Sequence, residues 1–523
     1  MAANRQQRRF ARPVPPERAN RGRFDASTRD AEQRPRNGSK SDEVPEYLFQ
    51  HAVLLAAANA RLDDKLDASR PHELLAPLDY EDECRIKTDA VRAFWTVRGL
   101  PSGLVPRIIP SPVPRGYRAT SKRRVYVTRG GELRFCMGYG AERGETLRSE
   151  LEPESHNEVY AKLRKLLASP VYRILGRSLN FIVVRGGAEH LTLILNFFHL
   201  DAAVMRKAKL LANHVREELP HIAAMFTFLD ETRSEFYLES RSAGGRPFKK
   251  LFGSEYLDLH AAGCKFLYPP SAFSQVNESI LDSFLREAGK LLAPGPDSTL
   301  IDLFTGYGLF AVALGDKPRR VVAMDFNGPA IHAASGNAEH NRPGADIEFI
   351  ASAVTPSAIE NKLPPSPADL RLPDDDGPEP EGELFLLDPP RSGVRPNVIA
   401  AIAKRSPARV LHVFCSADEV APSLAAWKHN GYSPTAVRVF DMFPGSPNVE
   451  TMVLLEKTKR KPAAKNKFAA KGRPAAAAKQ SPTVSNRALK RRASSRGDKG
   501  GRRPSGSSRP GKAKSAEKPR SKR

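Results

Sequence analysis

Cysteine is scarce in this chain: Cys84, Cys136, Cys264 and Cys415 are the four in 523 residues, and no two form a C-x2-C pair. That spacing excludes a disulfide framework and argues against a zinc knuckle or an iron–sulfur cluster, so no metal site is expected. No run of 18 apolar residues occurs, so no transmembrane helix is expected, and the N-terminus has no apolar stretch of the kind a secretory signal needs. The expected compartment is the cytoplasm, with the nucleus or an organelle the alternative in a eukaryote; the Arg-rich start also holds Glu17, Asp25, Asp30 and Glu32, acids that weaken an organelle-transit reading. Acid is lacking at the ends of the chain. Residues 457–523 set 24 Lys and Arg against Asp498 and Glu517, and residues 1–40 set 11 against four acids. The chain's formal charge is +24, yet residues 41–456 are net −5.

Ends that are rich in Lys, Arg, Ser, Gly, Ala and Pro and nearly free of aromatics bury too little apolar surface to offset chain entropy, so both are expected to be disordered. Their natural partner is a polyanion, since each cation that neutralises a phosphate releases a counterion. The remaining body of roughly 415 residues is long enough for two or three domains. The expected partition is a basic arm over 1–42, a helical lead-in with an α+β domain over 43–262, a second α/β domain over 263–456 and a basic tail over 457–523.

Residues 45–100 read as helical, and Ile86, Val91, Phe94 and Trp95 form a stripe at helical spacing, as a buried face requires. From about 101 to 260 strands such as NFIVVRG and HLTLILNFF alternate with helical stretches near 157–167 and 201–219, an α+β layer. Within it, PRGYRATSKRRVYV gathers cations around Tyr117, as phosphate and base contacts would use. Beyond residue 270, apolar strands (STLIDLF, RVVAMDF, ELFLLDPP, RVLHVFC, ETMVLLEK) are separated by helices. The pattern predicts a doubly wound, mostly parallel sheet covered on both faces. Residues 363–382, full of Pro, Asp and Glu, read as an acidic surface insertion.

In such a sheet, ligands bind at the carboxyl ends of the strands. LIDLFTGYGLF is a strand, a turn through Gly306 and Gly308, and a helix start; the glycines allow close backbone approach and positive φ. With two glycines rather than G-x-G-x-x-G, the turn favours a nucleoside-bearing cofactor over a dinucleotide. Asp325 ends the next strand about 20 residues on, where a carboxylate accepts ribose hydroxyls. Asp388 ends a later strand, in front of two prolines that stiffen the loop and remove two donors, and Arg391 follows as a possible phosphate or carboxylate ligand. Each segment is weak singly; their order carries the weight.

Together these segments resemble S-adenosylmethionine-dependent methyltransferases of the Rossmann-like class I type. The series Phe273-Ser274-Gln275-Val276-Asn277, IDLFTGYGLF, LDPPR, FCS and DMFPGSPNVE resembles, more narrowly, the RNA uracil-C5 methyltransferase family over about residues 80–456. The resemblance implies S-adenosylmethionine as cofactor, with Gln275, Phe304, Gly306, Asp325 and Asp388 around it. It also implies Cys415 as the nucleophile that adds to uracil C6, Glu450 as the base that removes the C5 proton, and tRNA or rRNA as partner. Such chemistry needs the pair, because C5 of uracil is too weak a nucleophile until a thiolate adds at C6, and the C5 proton must leave before the cysteine can. A thiol pKa lowered by nearby positive potential would help. The chain departs from the family pattern at Phe414, Ser416, Leu309 and Asn448, and the N-terminal β-barrel module and four-cysteine cluster that some members carry are not read in it. Two alternatives follow: a catalytically inactive RNA-binding or ribosome-assembly factor with the same fold, and an RNA cytosine-C5 methyltransferase, whose usual Pro-Cys or Thr-Cys setting is absent. If the tail supplies sequence-independent RNA affinity, deleting residues 457–523 should weaken RNA binding and flatten its dependence on salt, as read by filter binding across a salt series.

Overall fold

The computed structural model describes residues 48–137, 144–187, 189–233, 248–366 and 382–458. The basic arm, the tail from 459 on and most of the acidic insertion lie outside them. Helices α1 (Phe49–Asn59) and α2 (Tyr80–Val97) come first. The predicted stripe of α2 is buried, with Ile86, Val91, Phe94 and Trp95 all turned into the core.

A first sheet follows. It is built from β1 (Thr120–Val127), β2 (Leu133–Cys136), β3 (Leu179–Arg185), β4 (Leu191–Phe197), β5 (Ile222–Leu229) and β6 (Phe248–Phe252), in the order β2-β1-β3-β4-β5-β6. Helices α3 (Glu154–Ala168), α4 (Arg173–Ser178) and α5 (Ala202–Glu218) cover one face, where Val159, Leu163, Leu193, Leu211 and Val215 form one apolar cluster. Helix α5 starts where the side chain of Asp201 accepts the Val204 amide at 2.8 Å, satisfying a donor that the first turn leaves unpaired. A hairpin of β7 (Leu257–Ala261) and β8 (Cys264–Tyr268), with its turn at Ala262 and Gly263 in the left-handed region, leads on to the second sheet.

The second sheet alternates with α6 (Leu281–Leu292), β9 (Thr299–Leu303), α7 (Leu309–Ala313), β10 (Arg320–Asp325), α8 (Gly328–Asn341), β11 (Ile347–Ala351), α9 (Pro356–Asn361), β12 (Glu383–Leu387), α10 (Pro396–Lys404), β13 (Arg409–Phe414), α11 (Val420–His429), β14 (Tyr432–Phe440) and β15 (Glu450–Lys457). The strand order is β11-β10-β9-β12-β13-β15-β14. Strands β9 to β13 pair in parallel and β15 pairs antiparallel with both β13 and β14. Chain order therefore reverses between β9 and β12, which opens a crevice at their carboxyl ends. The central strands β9, β10, β12 and β13 are largely apolar because both faces are covered. One face packs with α6 through Phe284, Leu285 and Leu292. The other shares its core with α9 to α11 and also with α1 and α2, so the lead-in helices pack on this second sheet through Val53, Val91 and Trp95.

Within the cationic segment Arg115, Tyr117 and Arg123 are turned inward, against the expectation of an RNA-facing patch at those residues, while Arg118, Lys122 and Arg124 stay partly exposed. Tyr117 is buried and its hydroxyl donates to the Pro444 carbonyl at 3.0 Å. Arg115 donates to Glu83 and to the Ala76 carbonyl. Arg123, fully buried, grips Glu152 through two bonds of 2.7 and 2.6 Å. A desolvated guanidinium needs a carboxylate that fits its fork, and these three side chains therefore act as internal fasteners. Removing the cation strands a buried carboxylate. Arg123→Met should cost about 3–5 kcal/mol in a urea titration, and adding Glu152→Leu should restore much of that loss.

Candidate functional site

The site lies at the strand reversal. Phe304 follows β9 with φ +65°, a left-handed conformation that is strained for a residue with a Cβ, and its amide donates to the Met324 carbonyl of the neighbouring strand. Gly306 and Gly308 continue the turn at φ +57° and +87°. Their roles differ. A Cβ on Gly308 would press on Ala334 at 3.1 Å, whereas one on Gly306 would meet nothing within 4 Å, so the backbone at Gly306 faces open space. Beneath the turn, the buried Asp302 accepts from the Thr305 hydroxyl at 2.6 Å and the Ala311 amide at 3.0 Å through one oxygen, tying strand, turn and helix together.

Asp325, at the end of β10, accepts from the Gly306 amide at 3.0 Å and the Asn327 amide at 2.8 Å, one on each oxygen. Each oxygen keeps a further lone pair for a ligand hydroxyl. Burial raises the proton affinity of this carboxyl, and the amide bonds oppose that. Asp388, directly after β12, accepts from the Gln275 amide at 3.1 Å. Burial pushes its carboxyl up to about 7, against the pull of that bond. Gln275 is held in place from the first sheet. Arg185 at the end of β3 donates to the carbonyls of Pro270 and Ala272 and to the Ser274 hydroxyl, and the Ala119 amide donates to the Val276 carbonyl. Two large apolar side chains beside these residues, Phe273 and Phe326, are 70% and 65% exposed.

Cys415 follows β13 and is half-buried beside the proline loop, its sulfur 4.0 Å from the Pro389 carbonyl. Glu450 opens β15. Because Phe414 pairs with Thr451, the next residues outward, Cys415 and Glu450, lie side by side on neighbouring strands. Glu450 is fully buried and neither of its carboxylate oxygens has a hydrogen-bond partner. Burial, reinforced by Asp388, holds its carboxyl well above the ordinary range, while the Arg391 cation opposes. The thiol departs from the expectation of a lowered pKa. Burial and the carboxylates of Glu450 and Asp388 push Cys415 up to about 12, and Arg391 is the cation that works the other way. The structure thus brings Gln275, Asp388, Cys415 and Glu450 together around one crevice, with Phe304, Gly306 and Asp325 along its β9–β10 side.

Three contributors were not read from the sequence: Asp302, Arg185, and a buried ion group of Glu83, Lys87 and Asp441 behind Glu450. A charged residue in an apolar strand is the signal that could have marked Asp302 and Arg185, and for Glu83 and Lys87 it is their i, i+4 spacing in line with Val91 on the buried face of α2. Among the described residues no cluster of His, Cys, Asp or Glu is disposed to hold a metal ion, and no helix is long and apolar enough to cross a membrane. Glycine turn, open backbone at Gly306 and free acceptors on Asp325 suit a nucleoside-bearing cofactor.

A parallel sheet with an antiparallel end pair and a site at the strand reversal defines a class I methyltransferase fold. Residues 224–458 match the family model described as tRNA (Uracil-5-)-methyltransferase. A Thermotoga maritima protein described as an uncharacterized RNA methyltransferase is 31% identical over 214 residues, 41% of this chain and 45% of that protein. The 23S rRNA (uracil(1939)-C(5))-methyltransferase of Marinomonas posidonica is 31% identical over 204 residues, 39% of this chain and 42% of that one. The chain spans about half the length of the curated relatives it matches. The crystal structure of the Pyrococcus abyssi tRNA (uracil-54, C5)-methyltransferase in complex with S-adenosyl-L-homocysteine shares the fold. It aligns with a TM-score of 0.53 at 17% identity over 73% of this chain and 84% of that one.

Two acids with raised proton affinity give the chain a particular pH dependence. Asp302, like Asp388, is pushed by burial up to about 7. Below about pH 4 both folded and unfolded forms hold these protons; as the pH rises toward 7 the unfolded chain releases them while the folded chain retains them, so stability falls, and above 7 the contribution is flat. Melting temperature should therefore drop between pH 5 and 7.5, and Asp302→Asn should flatten that drop in the same scanning measurement.

Proposed function

We propose that this chain is an S-adenosylmethionine-dependent RNA methyltransferase that forms 5-methyluridine in tRNA or rRNA. The observation that carries the reading is the adjacency of Cys415 and a fully buried Glu450 with no hydrogen-bond partner, beside the Gln275–Asp388 pair. A carboxylate with that surrounding is a poor structural element, since burying it unpaired costs stability. It makes sense as a proton acceptor whose partner is a substrate atom.

The target uracil must leave its stack to enter the crevice, at a cost of about a few kcal/mol. Cys415, once deprotonated, adds to C6 and turns the ring into an enolate nucleophilic at C5. The burial that pushes the thiol up makes this step demanding, and Arg391 is the cation that favours the thiolate. S-adenosylmethionine, when bound, supplies an electrophilic methyl group for C5. Gln275, Phe304, Gly306, Asp325 and Asp388 would hold it, Asp325 through the free lone pairs facing a ribose. Glu450 then takes the C5 proton, the C5–C6 double bond re-forms, and the Cys415 sulfur leaves C6.

Purified protein incubated with unmodified tRNA or rRNA and methyl-labelled cofactor should yield labelled 5-methyluridine. Cys415→Ala should abolish turnover, and Glu450→Gln should accumulate a covalent RNA adduct on a denaturing gel, because the last proton stays in place. An active Cys415→Ala enzyme would exclude the mechanism, and a wild-type chain that binds RNA without forming 5-methyluridine on any of these RNAs would leave the inactive-factor alternative.

A further inference from the structure

The loop that precedes Glu450 is fastened by charge from a remote part of the chain. Phe440 pairs with Glu450, which makes residues 441–449 the closed connection between β14 and β15. Below it, on α2, Lys87 is fully buried and its ammonium contacts Asp441 at 2.7 Å, Glu83 at 2.7 Å and the Phe443 carbonyl at 3.0 Å. Glu83 in turn accepts from the Gly445 amide and from Arg115. Three successive points of the loop, Asp441, Phe443 and Gly445, are thereby tied to one cation–carboxylate pair on a single helix. Glu450 itself has no tether, so its position comes entirely from the strand end and this loop.

We propose that Lys87, acting through Asp441, is a positioning residue for the proton-removal step, holding the 441–449 loop so that the unpartnered Glu450 carboxylate is presented to the C5 proton. The inference rests on the function proposed above for Glu450. Lys87 is shared between Asp441 and Glu83, one Asp441 oxygen has no hydrogen-bond partner, and removing the Lys87–Asp441 contact takes from Asp441 its one ion pair. A loop released at that point would leave Cys415 on β13 and the Gln275–Asp388 pair untouched. The effect should therefore fall on one step of the reaction rather than on all of them.

Asp441→Asn keeps the shape of the side chain and removes the charge that Lys87 holds; Lys87→Met removes the cation itself. In the full chain, Asp441→Asn should bind S-adenosylmethionine as the wild type does and form the covalent RNA adduct at the wild-type rate. Release of the methylated RNA should slow by about 100-fold, as misplacement of a catalytic group by an ångström does. The adduct then accumulates as it does with Glu450→Gln. Hydrogen exchange of the 441–449 amides should quicken in this variant while exchange in β9 to β13 is unchanged. If Lys87→Met fails to fold, the isosteric Asp441→Asn carries the test alone. Wild-type release with wild-type loop exchange in Asp441→Asn overturns the proposal, and so does equal slowing of adduct formation and release. A wild-type chain that makes no 5-methyluridine overturns the function assigned to Glu450, an outcome told apart from failure of the pin by the exchange measurement, which needs no turnover.

Discussion

Buried cations, each bridging segments far apart in sequence, are the constraint on which the arrangement of this chain depends. Lys87 joins α2 to the loop before β15, Arg123 joins β1 to the segment ahead of α3, and Arg185 joins β3 to the loop that carries Gln275. A guanidinium or ammonium out of water tolerates only closely matched acceptors, so each bridge admits one relative placement of the segments it joins. Apolar packing alone is more permissive, since cores accept many combinations of similar volume. The two sheets are held in register with the crevice by charge, while their interiors are filled by the Val, Leu, Ile and Phe of their strands and helices.

Inside the crevice the same physics is used without pairing. Asp388 has one bond from Gln275 and Glu450 has none; Asp388 raises the proton affinity of Glu450, and both raise that of the Cys415 thiol. Among the described residues Arg391 is the one cation acting on both Cys415 and Glu450, and it is exposed at the end of the proline loop. A sulfonium cofactor would bring a second positive charge to this neighbourhood, and by electrostatic linkage a cation that prefers the ionised acids lowers their proton affinity when it binds. The strain of unpaired acids thus has a direction: it is relieved by the kind of ligand the glycine turn and Asp325 suit.

Much of this was legible in the sequence because local signals agreed with the global pattern. Helix α8, Gly328–Asn341, is one of the helices expected between the apolar strands, with Asn327 capping it and Pro329 in its first turn. Strands β9, β10, β12 and β13 announced themselves as apolar runs ending at Phe304, Asp325, Asp388 and Cys415. The hairpin β7–β8 did not, although its residues alternate between buried and exposed, because its turn is Ala262-Gly263 rather than Asn-Gly and puts an alanine in the left-handed region. Strand β11 is a half-exposed edge with little apolar contrast, and β14 carries Pro434 at a bulge, a residue that argues against a strand. The segment around Tyr117 misled for a different reason. Its cations are those of an RNA-binding patch by composition, and nothing local reveals that Glu83 and Glu152, 32 and 29 residues from their partners, wait to neutralise Arg115 and Arg123.

The matched family segment begins at residue 224, yet the crevice depends on residues well before it. Val53, Val91 and Trp95 complete the apolar layer on one face of the second sheet, and Tyr117 and Leu75 bind the carbonyls of Pro444 and Gly445 in the loop before Glu450. Arg185 does the same for the approach to Gln275. A fragment cut at the matched boundary would expose that layer and leave both loops without their fasteners, one leading to the proposed base and one to the proposed cofactor ligand. The N-terminal half is thus a structural part of the site rather than an appendage to it, and sequence variation at these fasteners reaches the chemistry through loop position.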